Sequence, residues 1–303
     1  DALQIVHNPE DETKLKNALL RLKYEELFMF MLKINYLKLR NNESAKGYQK
    51  NFNITKVNDF IAGLPFKLTG DQERAVLEIL NELKSPNRMN RLLQGDVGSG
   101  KTVVSMIAIY AIYLSGYQTA LMAPTEILAK QHYDSVNKTF EKTGIKTELL
   151  IGSLTKAEKE NIYQRLEMGE INLIIGTHAL IQENVKFYNL GLVVTDEQHR
   201  FGVNQRTNLK NKGNLPDILY MSATPIPRTY ALTIYGDMDI STIKEVPSGR
   251  KPIQTLIKSP SKIKEVLYMI KSQLDLGHQI YVVAPLVSES EKIDLSDVDD
   301  LKK

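Results

Sequence analysis

Gly95-Asp96-Val97-Gly98-Ser99-Gly100-Lys101-Thr102 stands between an apolar run that ends at Gln94 and a helical stretch that begins at Lys101. The spacing G-x-x-x-x-G-K-T, between a strand and a helix, is that of a phosphate-binding loop in the setting such a loop requires. The glycines let backbone N–H groups turn inward toward phosphate oxygens, and the helix start adds the partial positive charge of its unpaired amides. In this reading Lys101 reaches the β- and γ-phosphates and Thr102 holds Mg²⁺. Composition alone would produce the pattern in roughly one chain of this length in a hundred. An ordinary glycine-rich turn is therefore the poorer reading once strand and helix stand on either side.

Outward from this loop, short apolar runs alternate with longer periodic ones. Strands are expected at Leu92–Gln94, Ala120–Ala123, Glu148–Ile151, Leu173–Ile175, Leu192–Thr195 and Ile218–Met221. Helices are expected near Asp71–Leu83, Lys101–Leu114, Ile127–Lys142, Lys156–Met168 and Asn204–Lys210. This is the βαβ rhythm of a doubly wound parallel sheet covered on both faces, an α/β fold. Ligands of such folds bind beyond the carboxyl ends of the strands, so the residues ending each strand should carry the chemistry.

One strand ends unusually. Leu192-Val193-Val194-Thr195 runs directly into Asp196-Glu197-Gln198-His199. Two adjacent carboxylates at a strand end are costly to bury unless a cation faces them. Alone, the pair reads as a solvated strand end. Combined with the phosphate loop, Asp196 becomes the ligand of Mg²⁺, directly or through water, and Glu197 the group that orients and deprotonates the attacking water.

Before the sheet, apolar residues at Leu15, Leu19, Leu22, Phe30, Ile34 and Leu37 recur mostly at three- and four-residue steps, predicting a long amphipathic helix to about Leu39. The polar stretch Asn41–Asn58 reads as a connecting loop. A packing strut is the expected role of this helix, in preference to direct DNA contact, because charge-laced helix faces are usually only solvated. After the sheet, Pro247 to Pro252 makes a turn-rich linker to a second unit, with a helix at Ile263–Leu276 and a strand at Ile280–Ala284.

The 303 residues, 42% hydrophobic and 25% charged, are enough for one large domain or two ordinary ones and fit neither a disordered chain nor a membrane protein. The most apolar stretch, Val103–Leu114, is too short to span a bilayer. No charged segment followed by an apolar one opens the chain, so nothing suggests secretion. With no cysteine there are no disulfides, thiolate zinc sites or cysteine nucleophiles, which suits a cytoplasmic protein. His7, His132, His178, His199 and His278 lack the paired spacing of a metal site. A net charge of +3 is mild and does not by itself point to nucleic acid.

The order of Gly95–Thr102, then Asp196-Glu197-Gln198-His199, then Ser222-Ala223-Thr224 resembles motifs I, II and III of superfamily 2 helicases. With the flanking Arg200-Phe201-Gly202-Val203 and Pro225-Ile226-Pro227-Arg228-Thr229, the resemblance narrows to the RecG-type branched-DNA helicases of bacteria. Transcription-repair coupling translocases share much of this but usually carry a second Glu where this chain has Gln198. The resemblance runs from about Leu64 to Ser290. It implies a RecA-like P-loop motor domain, with ATP and Mg²⁺ as cofactors. It also implies that Gln72, in Leu68-Thr69-Gly70-Asp71-Gln72, reads the adenine edge and that Phe66 packs on the ring. Thr69 before Asp71 and Gln72 is equally a good helix cap, and both readings stay open.

The resemblance places DNA contacts at Pro124, Thr125 and Gln131, in a stretch Ala123–His132 that is similar to motif Ia, and at Thr177 and His178 after another strand. Hydroxyls, amides and helix N-termini there would hold backbone phosphates without reading sequence. Ser222 and Thr224 would couple nucleotide state to movement, with Gln198 or His199 relaying between the sites.

The implied partners are branched or forked DNA and, at forks, single-stranded-DNA-binding protein. A monomer in the bacterial cytoplasm, associated with the nucleoid and with no membrane contact, is expected. Opening on Asp1 rather than Met, the chain reads as a piece of something longer, and the RecG wedge domain and motifs V and VI are not in it. The expected organisation is a helical linker over 1–57, the RecA-like ATP-binding helicase domain over 58–246, and an incomplete second RecA-like domain over 247–303. The arginine that meets transition-state charge should come from that second domain, yet no arginine follows Arg250. The expected activity of the intact protein is ATP-dependent movement on branched DNA in repair and recombination. Two alternatives stand beside it: a duplex translocase of the transcription-repair type, and a scaffold that binds ATP and DNA without turnover.

Overall fold

The computed structural model describes residues 2–44, 47–197, 216–223, 238–247 and 253–283. The chain divides into two compact units, Asp1–Gly249 and Arg250–Lys303.

The first unit is built on seven parallel strands. In chain order these are β1 (Asn90–Gly95), β2 (Gln118–Met122), β3 (Thr147–Leu150), β4 (Leu173–Gly176), β5 (Leu190–Thr195), β6 (Asp217–Ser222) and β7 (Asp239–Ile243). They lie side by side as β3-β4-β2-β5-β6-β1-β7. Six were expected from their apolar runs; β7 was not. Its sequence Asp-Ile-Ser-Thr-Ile is mostly polar, with only Ser241 and Ile243 buried, because it is an edge strand rather than a fully buried one, and its neighbour β1 fixes it in register from Arg91↔Asp239 to Gly95↔Ile243.

Helices cover the sheet. They are α3 (Ile54–Ala62), α4 (Gly70–Leu83), α5 (Lys101–Leu114), α6 (Glu126–Phe140) and α7 (Lys156–Glu167). Their starts are written in the sequence: Thr69 with Gln72 and Thr155 with Glu158 form reciprocal capping boxes, and Thr125 caps α6. Leu93, Leu121, Ile175, Val194 and Leu219 face a core shared with α4, α5 and α6. The alternate residues Ala120, Met122, Ile174 and Val193 face the opposite core with Ile162 and Leu166 of α7. The expected helix at Asn204–Lys210 lies outside the described residues.

Two expectations for the segment before the sheet need correction. The region read as a connecting loop contains α3, whose Val57 is fully buried, and Phe52 joins the same core. Asn53 starts the helix by accepting the N–H of Thr55, so polar residues that resemble a loop are serving as a cap. The long helix exists as α2 (Glu12–Ser44), with α1 (Ala2–His7) packed on it. It is not amphipathic. Leu27 to Leu32 are six consecutive apolar side chains, which at about 100° per residue reach every face, and each is at least 38% exposed.

In the second unit α8 (Ile263–Asp275) forms as expected. The strand expected at Ile280–Ala284 does not: Ile280–Val283 are unpaired, because no other strand is present among the described residues of this unit, and Ala284 lies outside them. Among the described residues no helix is long and apolar enough to cross a membrane.

Candidate functional site

Because every strand runs the same way, the ends of β1, β2, β4, β5, β6 and β7 open on one edge of the sheet. The phosphate loop, the Asp196-Glu197 pair, Pro124-Thr125, Thr177-His178 and Ser222 all sit along that edge. Sequence positions 95 to 222 are thereby gathered into one region.

In the phosphate loop Gly98 and Gly100 adopt the left-handed region, at φ 77° and 87°. Gly95 is needed for closeness: a Cβ there would stand 2.5 Å from Ser99 Oγ and 2.9 Å from the carbonyl of Ile243. Lys101 donates from Nζ to the carbonyls of Gly95 at 2.7 Å and Asp96 at 2.9 Å. Burial holds the Lys101 ammonium below its usual pKa range, and the charges of Asp196, Glu197 and Asp96 oppose that fall. The fold thus brings Lys101 and the carboxylates at the end of β5 within reach of each other's charge. Ser99 Oγ, inside the loop, is buried without a hydrogen-bond partner.

Asp196 is held at three points. Its N–H donates to the carbonyl of Met122 at 2.8 Å, Oδ1 accepts the N–H of Glu197 at 3.0 Å, and Oδ2 lies 2.8 Å from His132 Nε2. Glu197 takes a positive φ of 51°, an unfavourable region for a residue with a Cβ and a form of strain that clusters at functional sites. His132 was missed in the sequence, where isolated histidines carry no signal. It lies three residues after Ala129 and four before Val136, and that spacing places it with them on the inward face of α6.

Gln72 is buried, and both ends of its amide are engaged: Oε1 accepts from Thr69 N at 2.9 Å and Nε2 donates to Ser99 O at 2.8 Å. Phe66 is half exposed. Together with Thr102, Val103 and Met106 it lines a cleft of about 1060 Å³. Beside Gln72, Asp71 makes a reciprocal clasp absent from the sequence reading. Its Oδ2 accepts the N–H groups of Lys244 at 2.7 Å and Glu245 at 3.1 Å, and its own N–H donates to Glu245 Oε2 at 3.2 Å. These amides, together with Arg74 at 2.7 Å, hold the Asp71 carboxyl below its ordinary pKa.

Of the residues singled out for DNA, Thr125, Gln131 and His178 are exposed and Pro124 is half-buried. Thr177 is buried, and its hydroxyl has no partner. Ser222 is buried at the end of β6. Gln198, His199 and Thr224 lie outside the described residues.

The donor set fits a magnesium nucleotide. A buried unpartnered hydroxyl at Ser99 sits within a loop whose Gly98 and Gly100 are left-handed. Among the described residues no three His, Asp or Glu side chains form a metal cage, and Mg²⁺ is ordinarily held by one or two carboxylates, a hydroxyl and substrate phosphates. Asp196 and Thr102 supply oxygens of that kind.

A model of the DEAD/DEAH box helicase family matches residues 69–233. The chain is 48% identical over 300 residues to the ATP-dependent DNA helicase RecG of Bacillus subtilis, covering 99% of this chain and 44% of that protein. It is 48% identical to RecG of Thermotoga maritima, covering 97% of this chain and 38% of the relative. A solved structure of RecG bound to a three-way DNA junction superposes with a TM-score of 0.82 at 47% identity, over 95% of this chain and 38% of the other. The chain spans less than half the length of these relatives, and its matched segment carries the phosphate loop and the Asp196-Glu197 strand end. It belongs to the DEAD/DEAH box helicase family.

Proposed function

We propose that this chain is the nucleotide-hydrolysing part of an ATP-dependent helicase that moves on branched DNA. The observation that carries this reading is that the parallel strands β1 and β5 end on one sheet edge, which gathers Lys101 and the loop Gly95–Thr102 with Asp196 and Glu197 there. A protein of similar sequence is named for DNA helicase activity, and another was captured on a three-way junction.

In this reading the loop amides from Gly95 to Thr102 cradle the phosphates, and Lys101 leaves its carbonyl partners to meet the β- and γ-phosphates. Thr102 and Asp196 would hold Mg²⁺, which would supply positive charge against the phosphates. Glu197 orients a water and accepts its proton as that water attacks the γ-phosphorus, while the bond from that phosphorus to the β–γ bridging oxygen breaks and ADP leaves. Phe66 borders the base, and Gln72 sets the loop against α4. The exposed Thr125, Gln131 and His178 meet DNA phosphates, with Pro124 and Thr177 shaping the turns behind them. Ser222, with Thr224, Gln198 and His199, couples hydrolysis to movement.

The test is ATP turnover by the full-length protein with forked DNA or linear duplex of equal length. Stronger stimulation by the fork supports the reading. Equal stimulation would favour a duplex translocase, and no turnover a scaffold.

A further inference from the structure

Helix α6 has one end at the solvent edge and its middle against the carboxylate of Asp196. Its cap Thr125 is exposed in the turn after β2, where the side chain accepts the N–H of Leu128 at 3.3 Å. Its buried positions are Ala129, His132, Val136 and Phe140, so His132 is the one polar side chain on the inward face. That side chain does not stop in the core. Its Nε2 reaches Asp196 Oδ2 at 2.8 Å.

The backbone repeats this link. Asp196 N–H is bound to the carbonyl of Met122, the last residue of β2, and Ala123 N–H to the carbonyl of Gly176 at the end of β4. The chain that leads into α6 is thus tied to β5 through Asp196 and to β4 through Gly176. Thr125 and His132 are seven residues apart on an uninterrupted helix, about 10 Å at 1.5 Å per residue. A helix of this length moves as a rigid body, so displacement of its capped end is felt at His132. An imidazole N–H on a carboxylate oxygen fixes the rotation of that carboxylate, as partners of metal-binding carboxylates and histidines commonly do.

We propose that His132 is a positioning residue that transmits occupancy of the Thr125 turn by DNA phosphates to the carboxylate of Asp196. The inference rests on the proposed function, which places DNA at that turn and Mg²⁺ at Asp196. It assigns the link to a residue outside both groups. A satisfied core histidine would pack equally well, but it would leave DNA and nucleotide binding independent of its N–H.

The experiment uses the full-length protein and a non-hydrolysable ATP analogue with Mg²⁺. The affinity of the analogue is measured with and without saturating forked DNA, and the ratio of the two reports the coupling. Coupled sites ordinarily show ratios of roughly 5 to 150, and linkage requires DNA affinity to respond to the analogue by the same factor. His132→Phe fills the space without a donor, and His132→Gln keeps an N–H of similar reach. The ratio is expected to fall to within about twofold of one in His132→Phe, and to stay near the wild-type value in His132→Gln. Melting temperature is followed for both, so a variant that does not fold is recognised. Should His132→Phe fail to fold, His132→Leu takes its place. A donor-free folded variant with the wild-type ratio overturns the inference, as does a wild-type ratio of one. The proposed function falls separately, if forked DNA stimulates turnover no more than linear duplex does.

Discussion

The side-chain amide of Gln72 donates to the backbone carbonyl of Ser99 at 2.8 Å, joining the first turn of α4 to the middle of the phosphate loop. Its oxygen is taken by the N–H of Thr69 in the capping box. The resemblance implies that Gln72 reads adenine; in this structure its amide is engaged with Thr69 and Ser99 and braces the loop. Gln72→Ala should therefore weaken ATP and GTP binding by similar factors, about tenfold for the loss of one buried hydrogen bond at roughly 1.4 kcal/mol. Fluorescence titration of both nucleotides measures this. Loss confined to ATP would return Gln72 to base reading.

Gly100 lies under that brace. At φ 87°, a Cβ would stand 2.2 Å from Gln72 Nε2. Gly100→Ala forces a left-handed conformation at roughly 1–2 kcal/mol and displaces Gln72 from Ser99. The variant should melt lower and bind nucleotide more weakly than Gln72→Ala does, as calorimetry would read directly.

Asp71 joins the same helix start to the chain beyond β7, with Lys244 and Glu245 amides on one carboxylate oxygen. Asp71→Ala leaves both amides without this acceptor, and a destabilisation of about 1–3 kcal/mol is expected in denaturant unfolding. The sign with pH follows from the lowered pKa. Stability from this group is present above the ordinary 3.8 and lost as pH falls below it toward the folded value. The variant should lack that part of the acid sensitivity.

A buried pair at the opposite edge of the sheet behaves in the reverse sense. Lys50 Nζ lies 3.4 Å from Asp217 Oδ2 and 4.4 Å from the centre of the Tyr117 ring, and it donates to the carbonyl of Tyr48 at 2.8 Å. Asp217 also accepts the N–H of Met89 at 2.7 Å. Burial pushes Asp217 up to about 6 from 3.8, despite the attraction of Lys50, and lowers Lys50 as well. An acid raised in the folded state stabilises fully below 3.8, and the contribution is lost as pH rises through about 6. Unfolding free energies measured from pH 4 to pH 7 should show this decline in the wild type and not in Asp217→Asn. Equal slopes would mean that Asp217 is not shifted.

These residues show where the sequence could be read and where it could not. The five central strands announce themselves because both faces are buried, so Leu192 to Val194 and Leu173 to Ile175 are unbroken apolar runs. β7 escapes that test because this edge strand is mostly polar, with three of its five residues only partly buried. The loop Gly95–Thr102 and Asp196-Glu197 were legible as a candidate site because the chemistry proposed for them demands fixed residue types at fixed spacing. Asp71 with Lys244, Gln72 with Ser99 and His132 with Asp196 were not, since each joins segments 27 to 173 residues apart through groups any surface residue might carry. The apolar girdle of α2 was misread for another reason: a three-to-four step can be traced through any helix rich in apolar residues, whichever faces they occupy.

The central claim is that Glu197, set at φ 51° beyond the end of β5, accepts the proton of the attacking water. Glu197→Gln keeps the shape and the hydrogen bond to water but cannot take the proton. In the full-length protein with forked DNA, nucleotide affinity should stay within about threefold of wild type, while turnover falls by roughly 10² or more, the range that general-base catalysis supplies. Wild-type turnover in that variant, with affinity unchanged, would contradict the assignment.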